Sequence, residues 1–216
     1  MELYFKGREH LANRVFISFR FSDGSWYKDK LVERFDESNE VINFSENEDR
    51  SNLSEDSIRN YLYGKLKNTS VTIVLLTPEA INHKKDWLGR YDDWMHDEIR
   101  YSLENRENNN PNGLIAVYTA EAKQQLMNST TCVKCEKACK MSSIKDFDNL
   151  VRHNMMNVKP EYKQNPCEGI YDSNWDSYCT LVSWDDFIEH FPDYIQKADQ
   201  KRKDIKKYKP KKNLNM

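Results

Sequence analysis

Glycine and proline are scarce, six of each in 216 residues. That leaves no flexible Gly/Ser linker. No G-x-G-x-x-G follows the first apolar run, which excludes a Gly-loop dinucleotide fold and a P-loop NTPase. No apolar run approaches the roughly 20 residues that a membrane-spanning helix needs. The opening stretch, MELYFKGREH, lacks an apolar h-region, so no secretory signal and a cytoplasmic location are expected. Five cysteines without an export signal point to a reducing compartment, with thiols or a metal in place of a disulfide framework. The formal net charge is only −2, which argues against a dedicated nucleic-acid binder. Hydrophobic residues reach a lean 38%, but aromatics make up 12% and supply large buried areas, so a packed core is expected and wholesale disorder is not.

The small net charge hides an asymmetry. Residues 197–212, KADQKRKDIKKYKPKK, carry nine basic and two acidic side chains, so the remainder of the chain is net −9. Such a tail reads either as a nucleic-acid or anionic-surface contact or as a solvated, frayed C-terminus, and the frayed end is the simpler reading. There is no internal repeat.

The elements alternate. Arg14–Phe19 (RVFISF) is a continuous apolar run, as in a strand buried on both faces of a parallel sheet. FSDGSW reads as a loop with Asp23-Gly24 turn chemistry, and Trp26–Glu37 as a helix. Val41–Phe44 is a short strand. Glu46–Asp49 lies in an acidic loop, and a helix follows over Ser54–Lys67. Val71–Thr77 (VTIVLLT) is the strongest strand, stopped at Pro78. A helix over Asp92–Asn105 and a strand over Leu114–Tyr118 come next. Thr180–Ser183 and a helix over Trp184–Lys203, interrupted near Pro192, complete the series. The β-α repetition predicts an α/β, flavodoxin-like, doubly wound parallel sheet with helices on both faces. The expected division is an N-terminal extension 1–13, a core 14–119, an insertion 120–178 before the last strand, the last strand and helix 179–203, and a basic tail 204–216. Within the insertion, Ile144, Phe147, Leu150, Val151, Met155 and Met156 have amphipathic spacing, predicting a helix over Ile144–Asn157. The polar ends of the insertion then either overhang the ligand cleft or contact another chain.

Open parallel sheets bind ligands at the carboxyl ends of their strands. A receiver domain needs acids there, but Phe19-Arg20 and Thr77 occupy those positions. In the Asp92–Asn105 helix, Met95, Ile99, Ser102 and Leu103 form one stripe at 100° per residue, and Trp94, Glu98 and Tyr101 form a second. The first stripe is expected on the sheet and the second at the cleft margin. A carboxylate flanked by an indole and a phenol is partly desolvated.

RVFISF, VINFSENED, LKNTSVTIVLLTPEAI, DWMHDEI and GLIAVYT, in that order, resemble a TIR domain, and more narrowly the TIR-like ThsB proteins of bacterial Thoeris anti-phage defence. The resemblance covers about residues 14–119, with a weaker echo at 178–200. It implies an NAD-cleaving site in which Glu98 is the catalytic carboxylate and Trp94 its aromatic neighbour. It places Ser18, Phe19 and Arg20 in the phosphate- and ribose-facing loop. Trp87, in the longer HKKDWLGRYDD approach, is a second tryptophan candidate. The resemblance further implies NAD as substrate with no separate cofactor, a nucleotide product sensed by a downstream effector protein, a phage-derived trigger and self-association. The runner-up is a non-catalytic TIR-like assembly module. Cys132, Cys135 and Cys139 (C-x₂-C-x₃-C) are three of the four ligands a structural zinc needs, with Cys167, Cys179 or His153 as the fourth; unligated thiols are the simpler expectation.

Overall fold

The structure, a computed structural model, describes residues 12–38, 40–45, 54–82, 94–105, 110–131, 140–144, 150–165, 167 and 169–212. Its centre is a five-stranded, all-parallel sheet built from β1 (Asn13–Ser18), β2 (Val41–Asn43), β3 (Val71–Leu76), β4 (Gly113–Tyr118) and β7 (Cys179–Ser183), ordered β2-β1-β3-β4-β7. The apolar runs form these strands because both faces of the sheet are covered. Side-chain alternation sorts each strand between two layers. Val15, Ile17 and Phe19 pack with Leu31, Phe35, Phe187, Phe191 and Ile195 of helices α1 (Phe21–Ser38) and α7 (Trp184–Lys203). Phe16 faces the other way, against Ile58, Leu62 and Leu66 of α2 (Glu55–Leu66). Val74, Leu76, Leu114 and Ala116 share that second face with Met95 and Ile99 of α4 (Met95–Ser102). The single turn of α3 (Pro78–Ile81) starts with Thr77 as N-cap, so Pro78 opens a helix in the position where its missing N–H does no harm.

Several boundaries differ from the sequence reading. Helix α1 begins at Phe21, so Asp23-Gly24 lies in its first turn and makes no loop. Asp23 is used there as a bridge: its carboxylate accepts from Thr77 Oγ1 at 2.7 Å and from the Glu79 N–H at 3.0 Å. A Cβ at position 24 would stand 3.2 Å from Phe19 Cβ, so the glycine lets α1 lie close on the end of β1. The expected helix over Ile144–Asn157 is not formed as such. Ile144 closes β6 (Lys140–Ile144), which pairs antiparallel with β5 (Met127–Thr131), and α6 spans only Leu150–His153. Phe147 lies outside the described residues. The region after β4 opens with α5 (Ala120–Leu126), capped by Thr119, which accepts from the Ala122 N–H. Helix α7 bends at His190, two residues before Pro192, whose ring cannot continue the hydrogen-bond ladder.

The basic tail is not frayed through Lys211. A single 3-10 turn (Ile205–Lys207) brings it back, and it pairs with residues 154–159: Lys159 N donates to Lys207 O, Lys209 N to Asn157 O, and Lys211 N to Asn154 Oδ1. The charged ends of Lys206, Lys209 and Lys211 stay on the outside of this clasp.

Near the clasp, the side chain of Lys201 is only 1% exposed, and its Nζ donates to Ser177 O at 2.8 Å and Thr180 Oγ1 at 2.5 Å. Burial pushes this amine down to about 7, and burial pushes the Cys179 thiol up to about 12. Folded Lys201 gives up its proton near pH 7, whereas the unfolded chain keeps it to near 10.5. Across that interval the unfolded state binds more protons, so stability rises with pH. Cys179 acts in the opposite sense above pH 9, where the unfolded thiol ionises first. The thermal midpoint is therefore expected to climb from pH 7 to 9. Lys201→Met should flatten the climb, whatever it does to the midpoint itself, and calorimetric scans at several pH values read that slope directly.

Candidate active site

Strand order reverses between β1 and β3: the chain leaves β1 for β2 on one side and returns to β3 on the other. At such a switch point the two connections diverge and leave a crevice beyond the carboxyl ends of the strands. Ser18 is the last residue of β1, opposite Val74 of β3. By alternation it shares the face of Phe16, which is the face that α2 and α4 cover. Glu98 lies one turn into α4, and the two meet: Ser18 Oγ donates to Glu98 Oε2 at 2.5 Å. Ser18 is fully buried, and Glu98 is 7% exposed. An acidic residue so deeply placed on a surface helix needs a reason, because carboxylates are almost never buried without a partner.

The two stripes of α4 sort as their spacing predicts. Met95, Ile99, Ser102 and Leu103 are buried on the sheet. Trp94 and Tyr101 are half-buried at the margin, where both pack on the α2 cluster. Trp94 is the N-cap residue of α4 and lies under Arg59, whose guanidinium carbon is 5.8 Å from the ring centroid. Arg59 also reaches Asp97 at 3.8 Å. Tyr101 stacks on Tyr63 with centroids 3.8 Å apart and planes 4° from parallel. Arg100 donates to Tyr63 Oη and pairs with Glu104 and Asp97. Burial raises the Tyr63 phenol above its ordinary value. This α2–α4 seam was not apparent from the sequence, because it joins side chains of two helices with a strand between them in the chain.

The other sequence candidates distribute unevenly. Arg20 follows β1 directly and is half-buried at the carboxyl edge. Phe19 is 8% exposed and turns to the opposite face, into the core beside Leu31 and Val182, with Phe21 at 4.7 Å between centroids and the Lys28 amine 5.9 Å from its ring centre. Alternation along β1 dictates this: if Ser18 faces α4, Phe19 faces α1. The structure thus brings Ser18 and Glu98 together, leaves Arg20 and Trp94 at the edges and takes Phe19 into the core. Trp87, Asp92 and Asp93 lie outside the described residues, as do Cys132, Cys135 and Cys139. Cys179 is fully buried and Cys167 half-buried, and no group of three or more metal-ligating side chains occurs among the described residues.

The β2-β1-β3-β4-β7 order of the main sheet, with α1 and α7 on one face and α2 and α4 on the other, defines a doubly wound, flavodoxin-like α/β domain. Half of the chain, residues 16–124, matches the family described as Thoeris protein ThsB, TIR-like domain, and the chain belongs to that family. Its role is accordingly in anti-phage defence. No helix among the described residues is long and apolar enough to cross a membrane.

Proposed function

We propose that this protein cleaves the nicotinamide–ribose bond of NAD and releases an ADP-ribose-type signal, cyclic or open, that activates a partner effector. The observation that carries this reading is the buried Ser18–Glu98 pair at the sheet's switch point. When the glycosidic bond breaks, its electron pair goes to the pyridinium nitrogen and nicotinamide leaves neutral. Positive charge then builds on the ribose ring, as in glycoside hydrolysis. A carboxylate in a site of low effective dielectric stabilises that charge far more than one in water does. Glu98 takes this part, and the Ser18 hydroxyl fixes which oxygen faces inward. Addition of water to C1′ with loss of a proton gives ADP-ribose. Attack by a nucleophilic atom of the same molecule, also with loss of a proton, gives a cyclic product. Arg20 at the edge is suited to the pyrophosphate, which an arginine can hold bidentately. Half-buried Trp94, four residues before Glu98 at the margin of the site, is suited to offer the leaving ring an aromatic edge.

The test is chromatography of NAD incubated with the purified protein, alone and with extract of infected cells. Nicotinamide and an ADP-ribose-type product are expected in at least the second case. NAD left intact in both cases, with the protein still associating with partners, would favour the non-catalytic assembly module. With NAD turned over, Arg20→Ala is expected to raise the apparent KM by about tenfold with a smaller change in kcat, since the lost contact is to a part of the substrate that does not react.

A further inference from the structure

Helix α4 has eight residues, too few to hold itself as an isolated helix in water. Its first turn has no side-chain cap, and its C-cap, Leu103, offers no left-handed stop. Its place on the sheet must therefore be set from outside. The apolar stripe Met95–Ile99–Leu103 supplies adhesion, but packing of this kind is not directional and tolerates sliding along the axis. Direction comes from a buried polar chain at the far end of the helix from the cleft. Ser102 Oγ donates to Glu98 O at 2.7 Å. With its proton so used, Ser102 Oγ accepts from Thr72 Oγ1 of β3 at 2.8 Å. Thr72 Oγ1 in turn accepts from Asn112 Nδ2 at 2.9 Å, and the second proton of that amide goes to Thr69 Oγ1 at 2.8 Å. The Asn112 main chain closes the loop, its N–H donating to Ser102 O at 2.7 Å. Tyr178, just before β7, donates to Asn112 O at 2.8 Å. Thr72, Ser102, Asn112 and Tyr178 are all fully buried. Every proton in the series has one direction, from Asn112 through Thr72 and Ser102 to the carbonyl of Glu98 itself. A slide of α4 by a single residue would orphan several of these buried groups at once, each left with its desolvation uncompensated.

We propose that Thr72, Ser102 and Asn112 are positioning residues that fix the height of α4 on the sheet and so hold the Glu98 carboxylate on Ser18. None of them reaches the crevice. The inference rests on the reading of Glu98 as the catalytic carboxylate, and the experiment separates the two. Thr72→Val keeps the shape and removes the hydroxyl. Thr72→Ser removes a methyl group and keeps the hydroxyl. A purely structural role makes both variants less stable and leaves kcat per folded molecule alone. The positioning role predicts a crossover: well below the thermal midpoint, Thr72→Val lowers kcat by about tenfold or more with KM within about twofold, and Thr72→Ser retains kcat whatever its midpoint. A readout free of NAD accompanies this. In protein labelled with carbon-13 at the glutamate carboxyls, the Glu98 signal is assigned by its loss in Glu98→Gln. It should shift in Thr72→Val and hold in Thr72→Ser. Ser102→Ala, which cuts the chain at the helix, repeats the test if Thr72→Val fails to fold. Wild-type kcat and an unmoved Glu98 signal in both Thr72→Val and Ser102→Ala would overturn the proposal, and so would equal losses in Thr72→Val and Thr72→Ser. If Glu98→Gln cleaves NAD as the wild type does, the catalytic reading fails, and the carboxyl signal alone then decides whether these residues place Glu98.

Discussion

Glu98→Gln is expected to lower NAD cleavage by about a thousandfold or more, which corresponds to roughly 4 kcal/mol of transition-state stabilisation. The amide matches the carboxyl in shape, and its oxygen can still accept from Ser18 Oγ. What it loses is the negative charge aimed at the ribose as positive charge develops. Stability should not fall with activity. A carboxylate that is 7% exposed is costly to bury, so the neutral amide should leave the thermal midpoint unchanged or slightly raised. Product chromatography and a thermal scan of the same preparation check both halves. Full turnover in this variant would falsify the mechanism. A midpoint that drops by many degrees would show instead that the charge is holding the fold.

The largest expected effect on stability comes from Gly113→Ala. Gly113 opens β4 where α7 crosses the sheet, and an added Cβ would lie 2.2 Å from Ala198 O and 2.5 Å from Ala198 C. These are backbone atoms in the middle of a long helix, so no side-chain rotation relieves the clash. Either α7 lifts off the sheet or β4 slips in its register. The expected destabilisation is about 3 kcal/mol or more, a fall of roughly 6–12 °C in the midpoint for a chain of this size. Gly64→Ala is the matched control. Nothing lies within 4 Å of a Cβ there, and the residue sits inside a helix, so that change should be neutral or mildly stabilising. If Gly113→Ala melted with the wild type, the close crossing of α7 over β4 would be wrong.

The parts of the fold that were plain in the sequence are those where one local rule dominates. RVFISF, VTIVLLT and GLIAVYT are unbroken apolar runs, and a doubly covered parallel sheet asks for nothing else. The Ser18–Glu98 meeting was within reach because it needs only two periodicities, the last residue of a strand and one stripe of a helix. The sequence misled where a residue's role is set by a distant partner. Asp23-Gly24 has turn chemistry, yet Asp23 is satisfied by Thr77 and Glu79, and the helix runs through it. The apolar spacing from Ile144 to Met156 is helical on paper, but Ile144 is claimed by pairing with Met127 across the hairpin. The resemblance placed Phe19 with Ser18 and Arg20, whereas alternation along a strand sends neighbours to opposite faces and takes Phe19 into the core. Ser102 was visible as the one hydroxyl in an apolar stripe; that it receives a bond from Thr72 and that Asn112 completes the set depends on loop geometry that no spacing encodes.

Between β4 and its neighbour β7 stands all of residues 120–178, yet Leu114 pairs with Cys179 and Tyr118 with Ser183. Contacts so distant in sequence form late, because the entropy of closing the loop is lost before the pairing rewards it. Until then β4 is an edge strand, apolar on both faces and with one row of N–H and C=O groups unmatched, the arrangement most prone to pair with another chain. The stretch that defines the family, residues 16–124, is therefore not a self-sufficient folding unit in this protein. Cut after 124, it would end with β4 bare and with Gly113 stripped of the helix that crosses it. Expression of residues 1–124 should give inclusion bodies, and supplying residues 150–212 as a separate chain during refolding should recover soluble material, because it restores β7 to the edge of β4 and α7 to its face.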